Sequence, residues 1–329
     1  MSSQPTAFVT GGTGFVGLNL VKSLIDRGYA VTALHRESSA VDDLRETGAT
    51  LTVADLHDAD GVKHAMPRGV DAVFHVAGNI NMWSRRNRQQ TRDNVLGTRN
   101  VVEAALSRKA GKLVHTSSIA AFGIHDSPID EDTAENASTS WIHYLRTKRS
   151  AETVVRWGIE QGLDATILNP ANIVGPHDRS GWGGVIRRAV TGKLPAMPPG
   201  RGSFCHVAAV VDAHIAAVER GRTGENYLLG GVDAPYSELV RTAGEVSGRK
   251  VTRRTAAAWQ LRAYARYQVI KAAVTGGTPK TTPEAAALVS TSMICRSDKA
   301  ERELGYTPAS LEQMVGDAWR WMAGAGLDG

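Results

Sequence analysis

The segment VTGGTGFVG, residues 9–17, constrains the fold of this chain more than any other. It places Gly11, Gly14 and Gly17 between a short apolar strand and a helical pattern that runs from about residue 14 to 27. In this context Gly11 permits a tight turn, Gly14 lets a pyrophosphate approach the backbone, and Gly17 lets the helix lie close to the sheet. The free N–H groups at the helix N-terminus favour phosphate. We therefore predict a dinucleotide-binding turn whose cofactor contacts also include Thr13, Phe15 and Val16.

Short apolar runs alternate with helical patterns through the first half of the chain. The runs are AFVT, AVTALH, TLTVADL, DAVFHVAG, KLVHTSS and DATILNP. Near-continuous apolar strands separated by helices imply a parallel sheet that is covered on both faces. We predict an α/β protein with a doubly wound parallel-sheet Rossmann fold. Residues 1–170 would form the NADP-binding domain, to which residues 203–232 return, and residues 171–202 and 233–329 would form a smaller, mostly helical substrate lobe.

The residues after the second strand bear on the choice of cofactor. A carboxylate at this place binds the adenosine ribose of NAD, whereas an arginine accommodates the 2′-phosphate of NADP. Arg36 follows the strand, so we predict NADP (NADPH). Glu37 comes next, and NAD therefore stays an alternative cofactor, because NAD is favoured if this carboxylate faces the ribose. After the third strand we expect Asp55 to accept a hydrogen bond from the adenine and Leu56 to pack on the ring, although Asp55 is also a candidate helix N-cap.

The composition argues against several classes of function. The net charge of +5 is spread along the chain instead of gathered in a tail, so we expect no nucleic-acid partner. Cys205 and Cys295 have no CxxC spacing and the histidines no ligand spacing, so we expect no disulfide framework and no metal site. We find no signal pattern and no run of eighteen apolar residues, and expect a cytoplasmic protein without a membrane partner.

Two Tyr-x-x-x-Lys pairs are present, Tyr144–Lys148 and Tyr267–Lys271. On a helix this spacing puts both side chains on one face, about one turn apart. A free tyrosine has a pKa of about 10, and a nearby ammonium favours its phenolate. Such a lowered pKa suits proton transfer near neutral pH.

Motifs over most of the chain resemble the extended short-chain dehydrogenase/reductase superfamily, the NAD-dependent epimerase/dehydratase family. They are TGGTGFVG, ADL, HVAG, NVLGTRNVVEAA, HTSSIAAFG, YLRTK, LNPANIVGP and SDKAERELGYTP. The LNP after the sixth strand and the arginine after the second strand are most similar to the branch of dihydroflavonol reductases, cinnamoyl-CoA reductases and 3β-hydroxysteroid dehydrogenases. The resemblance to the sugar-nucleotide epimerases is weaker.

The resemblance selects the first Tyr-x-x-x-Lys pair, because the family's pair lies after the fifth strand and downstream of a serine. Ser118 lies 26 residues before Tyr144. By this resemblance Tyr144 is the proton donor and Ser118 orients the carbonyl. Lys148 lowers the pKa of Tyr144 and binds the nicotinamide ribose, and Asn94 helps to shape the active site. The second pair, in the C-terminal lobe, we interpret as a coincidence.

Further positions follow from the same resemblance and from loops at the carboxyl ends of strands. The cofactor site is expected to include Ala77, Gly78, Pro170, Asn172 and Ile173. The substrate site is expected to include Asn79, Met82, Trp83, Ser118 and Trp182. Aromatic and Met side chains around one rim favour an apolar ligand over a nucleotide sugar.

We therefore expect an NADP(H)-dependent oxidoreductase that reduces the ketone or aldehyde of a hydrophobic or aromatic small molecule, with alcohol oxidation as the reverse reaction. One alternative is a nucleotide-sugar epimerase or dehydratase that holds NAD. The other is a non-catalytic protein that senses the cofactor. Members of the superfamily commonly pack two helices against a partner subunit, so a homodimer is one of the expected oligomeric states.

Overall fold

Seven parallel strands form the main sheet of the computed structural model, which describes residues 4–251 and 253–327. They lie in the order β3-β2-β1-β4-β5-β6-β9. Most residues of β1, β4, β5, β6 and β9 are buried, as expected for strands covered on both faces, whereas the edge strand β3 has no buried residue. The predicted Rossmann fold is therefore confirmed. The strands are β1 Thr6–Thr10, β2 Ala30–His35, β3 Thr50–Val53, β4 Ala72–His75, β5 Lys112–Thr116, β6 Ala165–Pro170 and β9 Asn226–Leu229.

Helices cover both faces of this sheet. Apolar side chains of α1, α8 and α12 pack on one face, and those of α3, α5 and α6 pack on the other. The helices of the described residues are α1 Phe15–Asp26, α2 Asp42–Arg45, α3 Ala59–Ala65, α4 Asn87–Thr91, α5 Gly97–Arg108, α6 His143–Glu160, α7 Trp182–Val190, α8 Val207–Arg220, α9 Tyr236–Ser247, α10 Ala258–Thr275, α11 Pro283–Leu288, α12 Asp298–Leu304 and α13 Leu311–Gly324.

A second, smaller sheet lies after the sixth strand of the chain. Its strands are β7 Asn172–Val174, β8 Arg201–His206, β10 Val232–Pro235 and β11 Ser292–Met293. Helices α7, α9 and α13 pack their apolar side chains against it. We expected residues 203–232 to return to the nucleotide domain. The structure puts residues 201–206 in the second sheet, because β8 pairs with β7, β10 and β11, while α8 and β9 lie with the main sheet.

The helical segment between β4 and β5 is not a single regular helix. A turn of π-helix, Arg92–Leu96, separates α4 from α5. Such turns insert one extra residue into a helix and are frequent at functional sites. Here the turn contains Asn94, whose buried side chain binds the loop that follows β4.

Candidate active site

Ser118, Tyr144 and Lys148 meet where β5 ends and α6 begins. Ser118 follows β5 by two residues, and its Oγ accepts a hydrogen bond from the Ala120 N–H at 3.2 Å. Tyr144 and Lys148 lie one turn apart at the start of α6, and the buried Lys148 Nζ donates to the Thr116 carbonyl at 2.8 Å. The end of one strand and the start of one helix thus hold all three side chains together.

The pKa of Tyr144 differs from our expectation. Burial raises the pKa of the Tyr144 phenol, and a hydrogen bond with Ser118 opposes this rise. Lys148 has its ammonium directed to a backbone carbonyl, and burial lowers the pKa of Lys148 to about 8. The groups of the protein alone therefore do not lower the pKa of Tyr144, and our expectation that Lys148 lowers it is wrong in this respect. They hold Tyr144 as a neutral phenol, the form that donates a proton.

Asn94 connects the loop after β4 to helix α6. Its Oδ1 accepts from the Asn79 N–H at 2.6 Å, and its Nδ2 donates to the Asn79 carbonyl at 2.9 Å and to Thr147 Oγ1 at 3.0 Å. Both amide hydrogens and the carbonyl oxygen of Asn94 are thus engaged by protein groups, an arrangement that suits a positioning residue. Asn79 also uses its side chain within the protein, since its Nδ2 donates to Asp93 and its Oδ1 accepts from the Asn81 N–H.

A buried row of hydrogen bonds joins the glycine-rich turn to Asn94. His75, at the end of β4, lies between Thr10 Oγ1, 2.7 Å from its Nδ1, and Thr98 Oγ1, 2.9 Å from its Nε2. The Thr98 hydroxyl donates to the Asn94 carbonyl at 2.6 Å. Thr10 directly precedes Gly11, so the row connects the predicted cofactor turn with the helix that carries Asn94.

A second buried polar cluster lies behind Ser118 and Lys148, and our sequence reasoning did not find it. The fully buried Glu152 carboxylate accepts from Ser117 Oγ and Asn169 Nδ2, both at 2.6 Å. Asn169 Nδ2 also donates to the Ser118 carbonyl at 3.0 Å. The negative charge of Glu152 raises the pKa of Lys148 against the effect of burial. The available signal was the spacing of Glu152, four residues after Lys148 and on the same helix face.

The glycine-rich turn is closely packed at two of its glycines. A methyl group on Gly11 would lie 2.6 Å from the Ala77 nitrogen, and one on Gly17 would lie 2.1 Å from the Gly11 carbonyl oxygen. The backbone of the turn thus lies directly against the residue Ala77 after β4, and the start of α1 lies directly against the turn. Gly14 caps α1 without a side-chain hydrogen bond, and the first turn of α1 has no acidic residue. Its N–H groups are thus available to an anion.

The other predicted cofactor positions surround this turn. Thr13 and Gly14 are exposed and Phe15 and Val16 are partly buried at its outer side. A methyl group on Gly78 would lie 3.8 Å from Asn94 Oδ1 and 4.0 Å from Lys148 Nζ, so Gly78 keeps the space beside these groups free.

Arg36 and Glu37 both follow β2 and are both exposed. Neither position distinguishes NADP from NAD.

Asp55 is not the N-cap of α3, because Asp58 occupies that position and accepts from the Gly61 N–H at 3.0 Å. Asp55 instead accepts from the His57 N–H at 2.8 Å, and Leu56 packs in the core between sheet and helices.

Met82 and Trp83 lie in the loop after β4. Met82 packs in one apolar cluster with Tyr144, Leu145 and Leu288, and its carbonyl accepts from Thr282 Oγ1 at 2.7 Å. The guanidinium groups of Arg85 and Arg86 lie 5.7 and 5.9 Å from the centre of the Trp83 ring. This loop therefore contributes Met82 to the apolar cluster that includes Tyr144, and it places two cations beside Trp83.

Asn172 lies on β7 of the second sheet and contacts Trp182, the first residue of α7, which packs against that sheet. The Trp182 Nε1 donates to Asn172 Oδ1 at 3.1 Å, and the indole stacks on Tyr236 with ring centres 4.7 Å apart. Asn172 Nδ2 donates to the Ser203 carbonyl at 2.9 Å. Trp182 is thus packed among side chains of the second sheet. Pro170 is buried at the end of β6, and Ile173, on β7, packs at the edge of the main core.

The second pair, Tyr267 and Lys271, lies on the outside of helix α10. Tyr267 is 56% exposed and Lys271 is exposed as well. Neither has the buried partners that surround Tyr144 and Lys148.

Comparison with known proteins agrees with this geometry. The model of the NAD dependent epimerase/dehydratase family matches residues 7–230. A putative dihydroflavonol 4-reductase of Synechocystis sp. is 31% identical over 97% of this chain and 95% of its own length. A 4-hydroxy-2-methyl-3-oxo-4-farnesyl-3,4-dihydroquinoline-1-oxide ketoreductase of Stigmatella aurantiaca is 29% identical, with 97% of each chain covered.

Solved structures show the same architecture. The crystal structure of gox2253 is 34% identical, has a TM-score of 0.83 and covers 98% of this chain and 99% of that chain. A UDP-glucuronic acid 4-epimerase from Bacillus cereus has a TM-score of 0.78 at 17% identity, covering 97% of this chain and 99% of its own, and shares the fold alone. The chain is an enzyme of the oxidoreductase type that belongs to the NAD dependent epimerase/dehydratase family, the extended short-chain dehydrogenases/reductases, and its relatives fit the branch of dihydroflavonol reductases and 3β-hydroxysteroid dehydrogenases.

Proposed function

We propose that this chain is an NADP(H)-dependent oxidoreductase that reduces the ketone or aldehyde of a hydrophobic or aromatic small molecule, and oxidises the corresponding alcohol in reverse. The observation that carries the proposal is the convergence of Ser118, Tyr144 and Lys148 beside Gly78, at the carboxyl edge of the main sheet. Similar proteins named as a dihydroflavonol 4-reductase and a ketoreductase support this type of reaction.

Each of the three side chains has a role that its surroundings support. The neutral Tyr144 phenol donates its proton to the carbonyl oxygen of the substrate, and the Ser118 hydroxyl orients that oxygen and stabilises its developing charge. Lys148, held by the Thr116 carbonyl, binds the nicotinamide ribose. The bound coenzyme supplies the hydride.

The residues of the glycine-rich turn fit a dinucleotide. The N–H groups at the start of α1 bind the pyrophosphate, and the close contacts of Gly11 and Gly17 preserve the space in front of them. For the adenosine end we propose NADP, because the exposed Arg36 guanidinium suits a 2′-phosphate. The adjacent Glu37 is the residue through which NAD would be preferred.

The side chains around Tyr144 support an apolar substrate. Met82, Leu145 and Leu288 form one cluster with Tyr144, whereas a nucleotide sugar requires many polar partners. The named substrates of two similar proteins, a farnesyl dihydroquinoline oxide and 2-alkyl-3-oxoalkanoates, combine a carbonyl group with an apolar chain.

The deciding experiment measures carbonyl-dependent NADPH oxidation by the wild type and by Tyr144→Phe. We screen aromatic, steroid-like and aliphatic ketones and aldehydes. Removal of the proton donor is expected to lower turnover by about 10²- to 10⁴-fold while coenzyme binding persists. The matched control is Tyr267→Phe, which removes a phenol hydroxyl from the exposed second pair and should leave turnover unchanged.

The same assay separates the alternatives. Equal turnover with NADH and NADPH would contradict the role of Arg36. Conversion of a nucleotide sugar without net NADPH consumption would indicate an epimerase or dehydratase. Normal coenzyme binding with no turnover of any carbonyl compound by the wild type would indicate a cofactor sensor.

A further inference from the structure

Helix α10 has two different faces. Its inner face is built from the small and polar buried side chains of Ala265, Gln268 and Ala272, and the helix packs on α11. Large apolar side chains are thus not needed to attach this helix to the protein. They lie on its outer face instead.

The outer face of α10 is an exposed apolar stripe. Trp259, Ala263, Ile270 and Val274 fall within about 60° of the helix surface at 100° per residue. Trp259 is 67%, Ile270 64% and Val274 83% exposed. Single exposed apolar residues are common, but an aligned stripe of this kind marks an interaction surface.

Positive charge surrounds this stripe. Arg262, Arg266 and Lys271 are exposed on the same helix. Between Glu245 and Glu284 the chain has eight Lys and Arg residues and no acidic residue. The rest of the chain, with 30 of the 38 cationic residues and all 33 acidic ones, is net negative. The excess positive charge of the sequence is therefore concentrated in the segment that contains α10.

The stripe lies outside the layer that closes the candidate active site. Helix α11, on which α10 packs, contributes Leu288 to the cluster around Tyr144. Thr282, the N-cap of α11, donates its hydroxyl to the Met82 carbonyl. The segment from α10 to α11 thus runs from the exposed stripe to the loop beside Tyr144.

We propose that α10 docks this protein onto the surface of a bilayer that contains anionic lipids. The helix lies in the plane of the interface, with Trp259, Ile270 and Val274 among the upper acyl chains and its cations on lipid phosphates. This is peripheral attachment, since no helix among residues 4–251 and 253–327 is long and apolar enough to cross a membrane. The proposal departs from our expectation that the chain has no membrane partner.

A second copy of the chain is a poorer occupant of this face. Two-fold pairing would bring the cations beside one stripe close to the same cations of the partner. Like charges in such a contact repel, whereas anionic lipid headgroups neutralise them. The attachment does not depend on the proposed reaction, because it is measured as binding.

The test is co-sedimentation of the full chain with vesicles of phosphatidylcholine alone or with about one third phosphatidylglycerol. We expect binding to the anionic vesicles that is at least about tenfold tighter than to the neutral ones and that weakens with added salt. The apolar variant is Trp259→Ser with Ile270→Ser and Val274→Ser, and the charge variant is Arg262→Gln with Arg266→Gln and Lys271→Gln. Each is expected to lose at least about tenfold in affinity.

The matched control replaces three exposed cations elsewhere, Lys63→Gln with Arg68→Gln and Lys109→Gln, and should bind like the wild type. All substituted side chains are exposed, and thermal unfolding checks that each variant is folded. No binding to anionic vesicles, or equal loss in the control, would overturn the proposal. The proposal would also be overturned if the wild type self-associates or captures an acidic protein, and the apolar variant loses that interaction but still binds vesicles.

Discussion

Glu152 is the residue whose charge most directly supports Lys148. The carboxylate is fully buried on α6, one turn after Lys148, and its charge raises the pKa of Lys148. Burial alone would lower that pKa further than the value of about 8 that the structure gives. Glu152 is therefore expected to act on the reaction through Lys148, as a positioning residue.

Replacing Glu152 by Gln keeps the shape of the side chain and removes its charge. The pKa of Lys148 should fall, so the ammonium is lost at a lower pH. We expect the alkaline limb of the profile of kcat/KM against pH to move to lower pH in Glu152→Gln. Glu160→Gln, at the exposed end of the same helix, is the control and should keep the wild-type profile. A uniform drop in activity without a shift of the limb would indicate a purely structural role.

At the scale of single elements, the contact between α1 and the glycine-rich turn offers a test of the proposed coenzyme site. A methyl group on Gly17 would lie 2.1 Å from the Gly11 carbonyl oxygen, so Gly17→Ala must push α1 away from the turn. We expect NADPH affinity to fall by more than about tenfold and the melting temperature to fall as well. Titration calorimetry and thermal unfolding measure the two effects.

Gly324→Ala is the matched control for this change. Gly324 lies in α13, and a methyl group there would meet no atom of residues 4–251 and 253–327 within 4 Å. Alanine favours a helix over glycine, so this variant should be as stable as the wild type or more so. Wild-type NADPH affinity in Gly17→Ala would contradict the role of this contact.

The sequence patterns predicted the main sheet well because most of its strands are rich in apolar residues and its central strands are buried on both faces. A run such as AVTALH, which forms β2 at Ala30–His35, has few other ways to bury its side chains. The second sheet was harder to predict. Its strands have two to six residues and include polar side chains, Gly202 and Pro235, so local pattern does not mark them.

The site was predictable in part for the same kind of reason. The Tyr144–Lys148 spacing is a local signal, and the strand order brings it beside Ser118. The π-helical turn at Asn94 was missed because its sequence also suits an α-helix, and tertiary hydrogen bonds decide its geometry. The Glu152–Asn169 contact joins two elements 17 residues apart, so no local pattern indicates it.

At the scale of the whole molecule, three buried histidines make stability depend on pH. Burial lowers the pKa of His75 to about 3 and that of His214 to about 4, and holds the pKa of His115 well below its usual value. The unfolded chain titrates near pH 6.5 and therefore binds more protons than the folded protein below that pH. Stability is thus expected to be full above pH 6.5 and to decrease as the pH falls.

These three residues together should lower the free energy of unfolding by about 4 kcal/mol between about pH 7.5 and about pH 5.5, measured by urea unfolding. His115→Leu should reduce this dependence by about one third. This substitution leaves no side-chain partner unpaired among residues 4–251 and 253–327, since both His115 ring nitrogens lack a hydrogen bond there. An unchanged pH dependence in His115→Leu would contradict the assignment.

The row of hydrogen bonds through His75 has a further consequence. The single hydrogen of the Thr98 hydroxyl goes to the Asn94 carbonyl, so the Thr98 oxygen must accept from His75. His75 therefore exists as the tautomer protonated at Nε2, and its Nδ1 accepts the hydrogen of Thr10. Every donor in the row then points in one direction, from the glycine-rich turn to the helical segment of Asn94. With a pKa of about 3, the ring keeps this polarity throughout the physiological range.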